Sequence, residues 1–509
     1  MTIKMNQQLN RGAGILMPIS ALPSSYGIGT LGKESYQFAD FLKRAGCKYW
    51  QVLPVGPTSF GDSPYQSFSA FAGNPYFIDL DYLVEEQLLK QEEINMCKWQ
   101  EEEDTVDYAS IYNERFNVLK YAYKRSNHSD KVEYLIFCKN NEYWLEDYSL
   151  YMALKSHFGN HEWLIWEEDI RDRKKEAIKN YTKLLEEEIA FWKFCQYKFR
   201  EQWDRLKAYT NKKGISLIGD IPLYAAMDSA DVWVHGDLFE LDKDKNPINV
   251  AGVPPDAFSD VGQRWGNPLY RWDVVEKDDF YWWRERMKAS ASLYDVIRID
   301  HFIGVVNYYS IPVECPTAVE GVWRPGPGRK LTEVIRESIG DAKIIAEDLG
   351  ILTANVRALI QETGYPGMKI LEFGLDGPVE NEYLPHNYST CNIVVYAGTH
   401  DNETLVGFLK NKTEDELITL CKYFNVQNPV GLPVGMIRTL YASIADVVVI
   451  QMQDLLELDN KARMNLPATV GNNWKWRMKK NQYLELDEEK LFELASIYGR
   501  APEKGEKNG

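Results

Sequence analysis

Residues 296–302 read Val-Ile-Arg-Ile-Asp-His-Phe, a short apolar run that ends on an acid. The same pattern occurs at residues 344–350, where the run ends on Glu347, and at residues 394–402, where it ends near Asp401. Continuous apolar runs of this length are typical of parallel strands that are covered on both faces. An ionisable group is costly in such a strand, so an acid at its end usually has a partner or a reaction.

Short β-rich apolar runs recur along the chain, and most are followed by a helical pattern such as residues 33–45 or 352–363. Strand–helix units in this number predict an α/β fold, a (β/α)8 TIM barrel. In that barrel the carboxyl ends of the strands lie on one face, where the three acids would meet. The eight runs are residues 14–19, 49–55, 215–221, 295–299, 343–346, 368–373, 393–397 and 447–451.

Three segments depart from a regular barrel, although we expect residues 1–509 to form one barrel domain. Residues 81–213 are largely helical in pattern and too long for a connection, which predicts a helical insertion subdomain after the second strand. Residues 222–288 are rich in Pro, Gly and Asn, which predicts an irregular loop subdomain over the barrel mouth. The charged tail, residues 503–509, is expected to fray.

Composition narrows the classes of partner. The formal charge is −17, from 58 basic and 75 acidic side chains, with no basic stripe, which argues against nucleic acid and anionic membranes. The seven cysteines are widely spaced without a C-x-x-C pair, which argues against a disulfide scaffold or a zinc knuckle. Residues 1–10 lack an apolar signal core and no run approaches a membrane span, so we expect a cytoplasmic protein. The oligomeric state is not predicted.

Two motifs resemble known binding sites but lack the sequence context that such sites require. Residues 27–32 fit the dinucleotide pattern G-x-G-x-x-G, but residues 21–26 separate them from the preceding strand and the required acid is missing. His157 and His161 have helical spacing for a metal site, but Gly159 and Asn160 between them disfavour a helix. A nucleotide-dependent oxidoreductase is therefore the weakest alternative.

The strand-end acids differ in their neighbours. Side chains alternate along a strand, so Arg298 lies on the same side as Asp300, and a guanidinium favours the ionised carboxylate that a nucleophile requires. By the same period Ile345 lies beside Glu347, and an apolar neighbour favours the raised pKa of a general acid. For each acid taken alone, a structural role stays open. For Asp300 it is an ion pair with Arg298 that ties the strand end to a loop, and for Glu347 it is a negative charge at the start of a helix.

Further polar and aromatic residues surround these acids. Asp220 ends the third predicted strand, and His301 and His400 adjoin acids, although each histidine could equally be a packed, neutral side chain. Aromatic residues make up 13% of the chain, and several lie in loop-like contexts. Aromatic faces stack on the apolar faces of sugar rings. The loop examples are Tyr65, Trp265, Trp272 and Trp474.

An ordered set of motifs resembles the amylomaltase (disproportionating enzyme) family of 4-α-glucanotransferases, glycoside hydrolase family 77. The resemblance covers about residues 12–477. Any one tetrapeptide is weak evidence, whereas the ordered set is specific. The motifs are DSPY at 62–65, GDIP at 219–222, GVPPD at 252–256, QRWGNP at 263–268, RIDHF at 298–302, AEDLG at 346–350 and GTHDN at 398–402.

The resemblance implies an α-amylase-type barrel and a retaining mechanism on maltooligosaccharides and α-1,4-glucans, with neither a metal nor an organic cofactor. It implies Asp300 as nucleophile, Glu347 as acid/base and Asp401 as the acid that stabilises the transition state. It also implies a flexible loop at residues 252–256 that covers the glucan. The substrate contacts it implies are Tyr65, Asp220, Arg298, His400, Gln263, Trp265, Pro255, Asp256 and His301.

One departure and two alternatives remain. The family usually has Gly where Ala468 stands, and Ala would strain that loop if the position requires a positive φ. An α-glucan hydrolase is the main alternative, because water and a sugar hydroxyl use the same acids. A glucan-binding protein without activity is the alternative from another class, and the intact acid set disfavours it.

Overall fold

The structure, a computed structural model, describes residues 7–59, 61–100, 102–255, 259–350 and 352–502. Asp256 and the tail at residues 503–509, both named in the sequence predictions, lie outside the described residues. The described residues form twelve strands. These are β1 Gly12–Leu16, β2 Tyr49–Gln51, β3 Ser216–Ile221, β4 Asn249–Val253, β5 Gln263–Pro268, β6 Val296–Ile299, β7 Asn307–Pro312, β8 Val322–Pro325, β9 Lys343–Ala346, β10 Gly367–Ile370, β11 Ile393–Tyr396 and β12 Val447–Gln451.

Eight strands form one parallel sheet in the order β10-β11-β12-β1-β2-β3-β6-β9. The last and first strands of this order meet where the N–H of Ala346 donates to the carbonyl of Pro366 at 2.9 Å. The carboxylate of Asp348 also accepts the N–H of Met368 at 2.7 Å across the same seam. The (β/α)8 barrel predicted from the sequence is thereby confirmed, and all eight predicted runs overlap its strands.

The barrel strands are buried on both faces. Val447 and Val449 belong to the apolar cluster inside the barrel, whereas Val448 and Ile450 pack in the cluster formed with the outer helices. Both alternating sets are apolar, which explains the continuous runs in the sequence. Ile218 and Val296 also belong to the interior cluster, so Asp220 and Arg298, two residues further along their strands, share the interior side.

A helical insertion follows the second strand. Its longest helix, Glu186–Lys212, buries a stripe at three- and four-residue spacing that includes Trp192, Phe199, Trp203 and Leu206. The helices between β2 and β3 are Leu80–Glu85, Gln91–Asn95, Tyr108–Arg125, Val132–Asn140, Glu142–His157, Glu168–Arg171, Lys175–Leu184 and Glu186–Lys212. The other α-helices are Lys33–Arg44, Ala230–Val234, Trp272–Lys277, Tyr281–Leu293, Ile303–Val306, Arg329–Ser338, Ala354–Thr363, Glu372–Leu375, Leu405–Lys410, Glu414–Tyr423, Leu432–Ala442, Met452–Leu455 and Glu488–Ile497.

The structure differs from the prediction of an irregular segment over residues 222–288. Strands β4 and β5 lie in this segment and join β7 and β8 in an antiparallel sheet of order β5-β4-β7-β8. The ladder between β4 and β5 shifts register between Val250 and Gly252. Proline, glycine and half-exposed polar residues interrupt the alternation by which a strand is recognised in sequence, so this sheet escaped prediction.

Two further observations concern composition. None of the seven cysteines, all of which lie in the described residues, forms a disulfide, and Cys391 is exposed while Cys47 and Cys195 are buried. In the described part of the chain, no helix combines the length and apolar character needed to cross a membrane.

Candidate active site

A buried ion pair joins the ends of β3 and β6. Arg298 lies opposite Asp220 in the ladder between these strands, and its Nη1 donates to both oxygens of that carboxylate at 2.7 Å. The same Nη1 donates to Oδ1 of Asp300 at 3.0 Å. The Asp220 side chain is 0% exposed, whereas that of Asp300 is 29% exposed. Asp300 is therefore the acid of this group that a ligand can reach.

Glu347 lies next to this group, at the end of the neighbouring strand β9. Its Oε2 accepts the backbone N–H of His301 at 2.6 Å, and its Oε1 accepts the N–H of Leu349 at 3.0 Å. The pKa of Glu347 is raised to about 8, mainly by burial and partly by Asp300, against the lowering effects of Arg298 and the two backbone N–H donors. Glu347 thus holds a proton at neutral pH, which suits a general acid.

The turn after β6 fixes this contact. His301 adopts a left-handed backbone with φ of 52°, which is unusual for a residue other than glycine. The next N–H, that of Phe302, donates to the Glu347 carbonyl at 3.1 Å. Two successive backbone donors that follow Asp300 therefore bind Glu347, and backbone strain at such a turn is a frequent feature of functional sites.

Asp401 is held on the turn after β11. Its Oδ1 accepts from Nδ2 of Asn465 at 2.6 Å, and its backbone carbonyl accepts from Nη2 of Arg463 at 2.6 Å. His400 Nε2 lies 3.5 Å from Oδ2 of Asp401. With 44% of its side chain exposed, Asp401 faces open space rather than the core.

Tyr65 connects the two halves of the site. Its hydroxyl donates to Oδ2 of Asp220 at 2.8 Å, and its ring stacks on His400 with centroids 5.2 Å apart. Burial raises the pKa of Tyr65 well above its usual value, so the hydroxyl stays a donor. A chain of direct contacts therefore runs from Asp300 through Arg298, Asp220, Tyr65 and His400 to Asp401, and the acids lie on one face of the barrel.

The antiparallel sheet β5-β4-β7-β8, called the mouth sheet from here on, contributes Gln263 and Trp265 to the site. The indole N–H of Trp265 donates to Oε1 of Gln263 at 3.1 Å, and its ring meets His301 edge to face with centroids 4.9 Å apart. Burial lowers the pKa of His301 to about 4, so this imidazole is neutral. Pro255 is exposed beyond the end of β4, and Asp256 follows it outside the described residues.

The sequence did not predict the two residues that bind Asp401 from a distant part of the chain. Arg463 and Asn465 lie more than 60 positions further along the chain, and nothing in their own segment signals that contact. Ala468, in the same loop, has φ of 61°, so alanine occupies the left-handed conformation for which glycine is suited. Trp474 is close to the site, with its ring 5.8 Å from Tyr65 and 5.9 Å from His400.

The polar groups of the site bind one another. Among the described residues, no three His, Cys, Asp or Glu side chains are grouped to hold a metal ion. The carboxyl groups of Asp220, Glu347 and Asp401 instead accept hydrogen bonds from guanidinium, backbone N–H and amide donors.

The fold and the acids define a class, the TIM-barrel enzymes whose reactive carboxyl groups lie at the carboxyl ends of parallel strands. Within this class, the chain belongs to the 4-alpha-glucanotransferase family, whose family model matches residues 17–483. The family resemblance noted in the sequence is confirmed by this match.

Several relatives are similar over nearly their whole length. A 4-alpha-glucanotransferase of Clostridium butyricum is 48% identical over 486 residues, covering 95% of this chain and 100% of the relative. The enzyme of that name from Thermus thermophilus is 43% identical over 481 residues, covering 92% and 95%. The solved amylomaltase from Streptococcus agalactiae in complex with acarbose superposes with a TM-score of 0.93 at 42% identity, covering 97% of this chain and 100% of that one.

Proposed function

We propose that the protein is a retaining 4-α-glucanotransferase. It moves α-1,4-glucan segments from a donor to the 4-hydroxyl of glucose or a maltodextrin. The observation that carries the proposal is the contrast between two adjacent acids. Asp300 is ion-paired with Arg298, whereas burial keeps Glu347 protonated. An anionic nucleophile beside a neutral acid is what a double displacement at a sugar requires.

In the first step an oxygen of Asp300 attacks the anomeric carbon of the donor as the glycosidic C–O bond breaks. The proton of Glu347 passes to the departing oxygen, so the reducing-end part of the donor leaves as a neutral alcohol and Glu347 becomes an anion. The product is a β-linked glycosyl ester of Asp300. When the ester forms, Asp300 loses its negative charge. Arg298 then keeps its ion pair with Asp220, at 2.7 Å.

In the second step the anionic Glu347 removes the proton from the 4-hydroxyl of an incoming sugar. That oxygen attacks the anomeric carbon, the ester bond to Asp300 breaks, and the α configuration returns. Asp300 leaves as the carboxylate that Arg298 stabilises, and Glu347 is again protonated. Both residues end in their starting states.

Asp401 and the substrate contacts complete the proposal. Held by Asn465 at 2.6 Å, Asp401 presents its carboxylate to the positive charge that develops on the sugar ring in each step. Tyr65 and His400, stacked on each other, border the same sugar and shield it from water. Gln263, Trp265, Pro255, Asp256 and His301 are further proposed substrate contacts, and Asp220, whose side chain is 0% exposed, is proposed to act through Arg298 and Tyr65. The segment at residues 252–256, which begins in the last two residues of β4, is proposed to cover the glucan.

Transfer outcompetes hydrolysis if an acceptor sugar occupies the site and displaces water. The partly exposed ring of Trp265 on the mouth sheet offers an apolar face for such a sugar, whereas Trp474 is buried behind Tyr65 and supports that ring. The solved relative in complex with acarbose supports a carbohydrate ligand for this chain. A cytoplasmic location, with maltodextrins as the substrate, stays our prediction.

The test is incubation of the purified protein with maltotriose and analysis of the products. We expect glucose together with maltodextrins longer than maltotriose, and no such products from Asp300→Asn. Exclusive formation of shorter sugars would identify an α-glucan hydrolase. Maltotriose binding without any turnover by the unmodified protein would identify a glucan-binding protein.

A further inference from the structure

Glu372 lies at the catalytic face of the barrel, behind the turn that carries Asp401. It begins the helix Glu372–Leu375 directly after β10, and only 6% of it is exposed. β10 is hydrogen-bonded to β11, so the end of β10 adjoins the turn that follows β11. No step of the reaction described above uses this carboxyl group.

A single hydrogen bond connects Glu372 to that turn. Its Oε2 accepts from Nδ2 of Asn402 at 3.2 Å. The amide oxygen of Asn402 in turn accepts from the backbone N–H and the hydroxyl of Thr399, both at 3.0 Å. The amide is thus bound at both ends, which fixes its orientation. Thr399 and Asn402 are the two ends of the turn, and His400 and Asp401 lie between them.

Close packing supports the same contact. A methyl group placed on Gly398, the residue before the turn, would lie 2.8 Å from Oε1 of Glu372 and 3.3 Å from Nε2 of Gln451. Glu372 therefore packs against the start of the turn as well as bonding to its end. A second buried acid, Asp454, accepts the N–H of Leu405 at 2.8 Å, where the chain leaves the turn and enters a helix.

The charge state of Glu372 suits a fixed contact. Burial raises the pKa of Glu372 well above its usual value, and the nearby Asp454 and Glu403 add to this while Arg463 opposes it. Arg463 itself donates to the carbonyls of Asp401 and Asn465 at 2.6 and 2.7 Å. The raised pKa favours the neutral carboxyl group, for which glutamine is a close substitute in size and charge.

We propose that Glu372 is a positioning residue for the transfer reaction: through Asn402 it holds the turn at residues 399–402 in the shape that presents Asp401 to the reacting sugar. The inference rests on the proposed function, because it assigns Glu372 to the same reaction. Asp401 acts mainly on the transition state, so a displaced turn lowers kcat more than it raises KM.

The test measures kcat and KM for maltotriose disproportionation by the full-length chain. Glu372→Met removes the acceptor at similar size and should lower kcat about 10- to 100-fold, with KM changed less than about threefold. Glu372→Gln can still accept from Asn402 and should keep kcat within about threefold of the unmodified protein. Asn402→Ala also removes the two hydrogen bonds from Thr399, so it should lose at least as much kcat as Glu372→Met, and the double variant should lose little more than Asn402→Ala alone, because both changes break the connection between Glu372 and Asn402.

A control separates this effect from general damage to the barrel. Asp446 is a similarly buried acid at the opposite end of β12, where it accepts from Nε2 of Gln8 at 3.0 Å. Asp446→Asn should lower the unfolding temperature without lowering kcat. A comparable loss of kcat in this control would overturn the inference, because the effect would then not belong to the Asp401 turn.

Other outcomes also overturn it. Glu372→Met with kcat within twofold of the unmodified protein, or Glu372→Gln as impaired as Glu372→Met, contradicts a positioning role. Should Glu372→Met fail to fold, Asn402→Ala decides, and an unchanged kcat there refutes the connection. Turnover by the unmodified protein is measured in every run, so a failure of the proposed transfer activity is seen separately.

Discussion

Replacing Glu347 by glutamine should change the free energy of unfolding in a pH-dependent way, increasingly in favour of the variant as the pH rises. The pKa of Glu347 rises from 4.5 to about 8 on folding, because the side chain is buried. A carboxyl group with a raised pKa must take up a proton to fold once the pH exceeds its unfolded value. Each pKa unit corresponds to about 1.36 kcal/mol, so the cost is roughly 1 kcal/mol at pH 5 and roughly 3 kcal/mol at pH 7.

Glutamine removes this cost but introduces a constant one. Glu347 accepts two backbone N–H groups, one on each oxygen, and glutamine offers only one acceptor oxygen. The N–H left unpaired costs about 1 to 3 kcal/mol at every pH. Because this loss is constant, the change with pH reports the charge of Glu347 alone. We expect the difference in free energy of unfolding between Glu347→Gln and the unmodified protein to shift by roughly 2 to 3 kcal/mol in favour of the variant from pH 5 to pH 7.

The assay is urea unfolding followed by tryptophan fluorescence at both pH values. Glu380→Gln, which changes an exposed carboxyl group, is the matched control and should show a shift below about 0.5 kcal/mol. The difference in free energy of unfolding between Glu347→Gln and the unmodified protein could instead stay constant from pH 5 to pH 7. That result would show that Glu347 is ionised in the folded protein. The assignment of Glu347 as the proton donor would then be wrong.

Three further predictions follow from the same contacts. The rate of transfer should fall as the pH rises through about 8, since Glu347 then loses the proton it donates, and a fall of kcat/KM beginning below pH 6 would contradict this. Arg298→Met should lower the free energy of unfolding by about 3 to 5 kcal/mol in urea titrations, because Asp220 stays buried without its partner, and a loss below 1 kcal/mol would disprove the pairing. Ala468→Gly should raise the unfolding free energy by up to about 1 kcal/mol by relieving the left-handed backbone, whereas a destabilised variant would count against strain at φ of 61°.

The barrel was predictable because its strands carry a strong local signal. Val447–Gln451 is apolar on both alternating sets of side chains, and the strand bounds there match the predicted run. The mouth sheet has no such signal. Residues 263–268 combine Gln, Arg, Gly and Pro, and most of β5 is at least partly exposed, so the segment resembles a loop until its partner strands are known.

The candidate site also has a part that the sequence predicts and a part that it does not. Asp300, Glu347 and Asp401 are visible in sequence, because each acid ends an apolar run. The donors that hold Asp401 are not visible, because Arg463 and Asn465 reach it from another loop and depend on how the two loops pack. Local sequence therefore predicts which groups can react, whereas the contacts that orient them arise only from tertiary structure.

The opposite charge states proposed for the two reacting acids arise from where each side chain finds its donors. Arg298 lies on the strand of Asp300, two residues before it, and reaches it at 3.0 Å. Glu347 lies at the end of the next strand, where Ile345 takes the position equivalent to Arg298, and in the described part of the chain the groups that donate hydrogen bonds to its carboxyl group are backbone N–H groups. Neutral N–H donors offset less of the cost of burying a charge than a guanidinium does. Exchanging the strand positions of arginine and isoleucine would, on this reasoning, exchange the roles of the two acids.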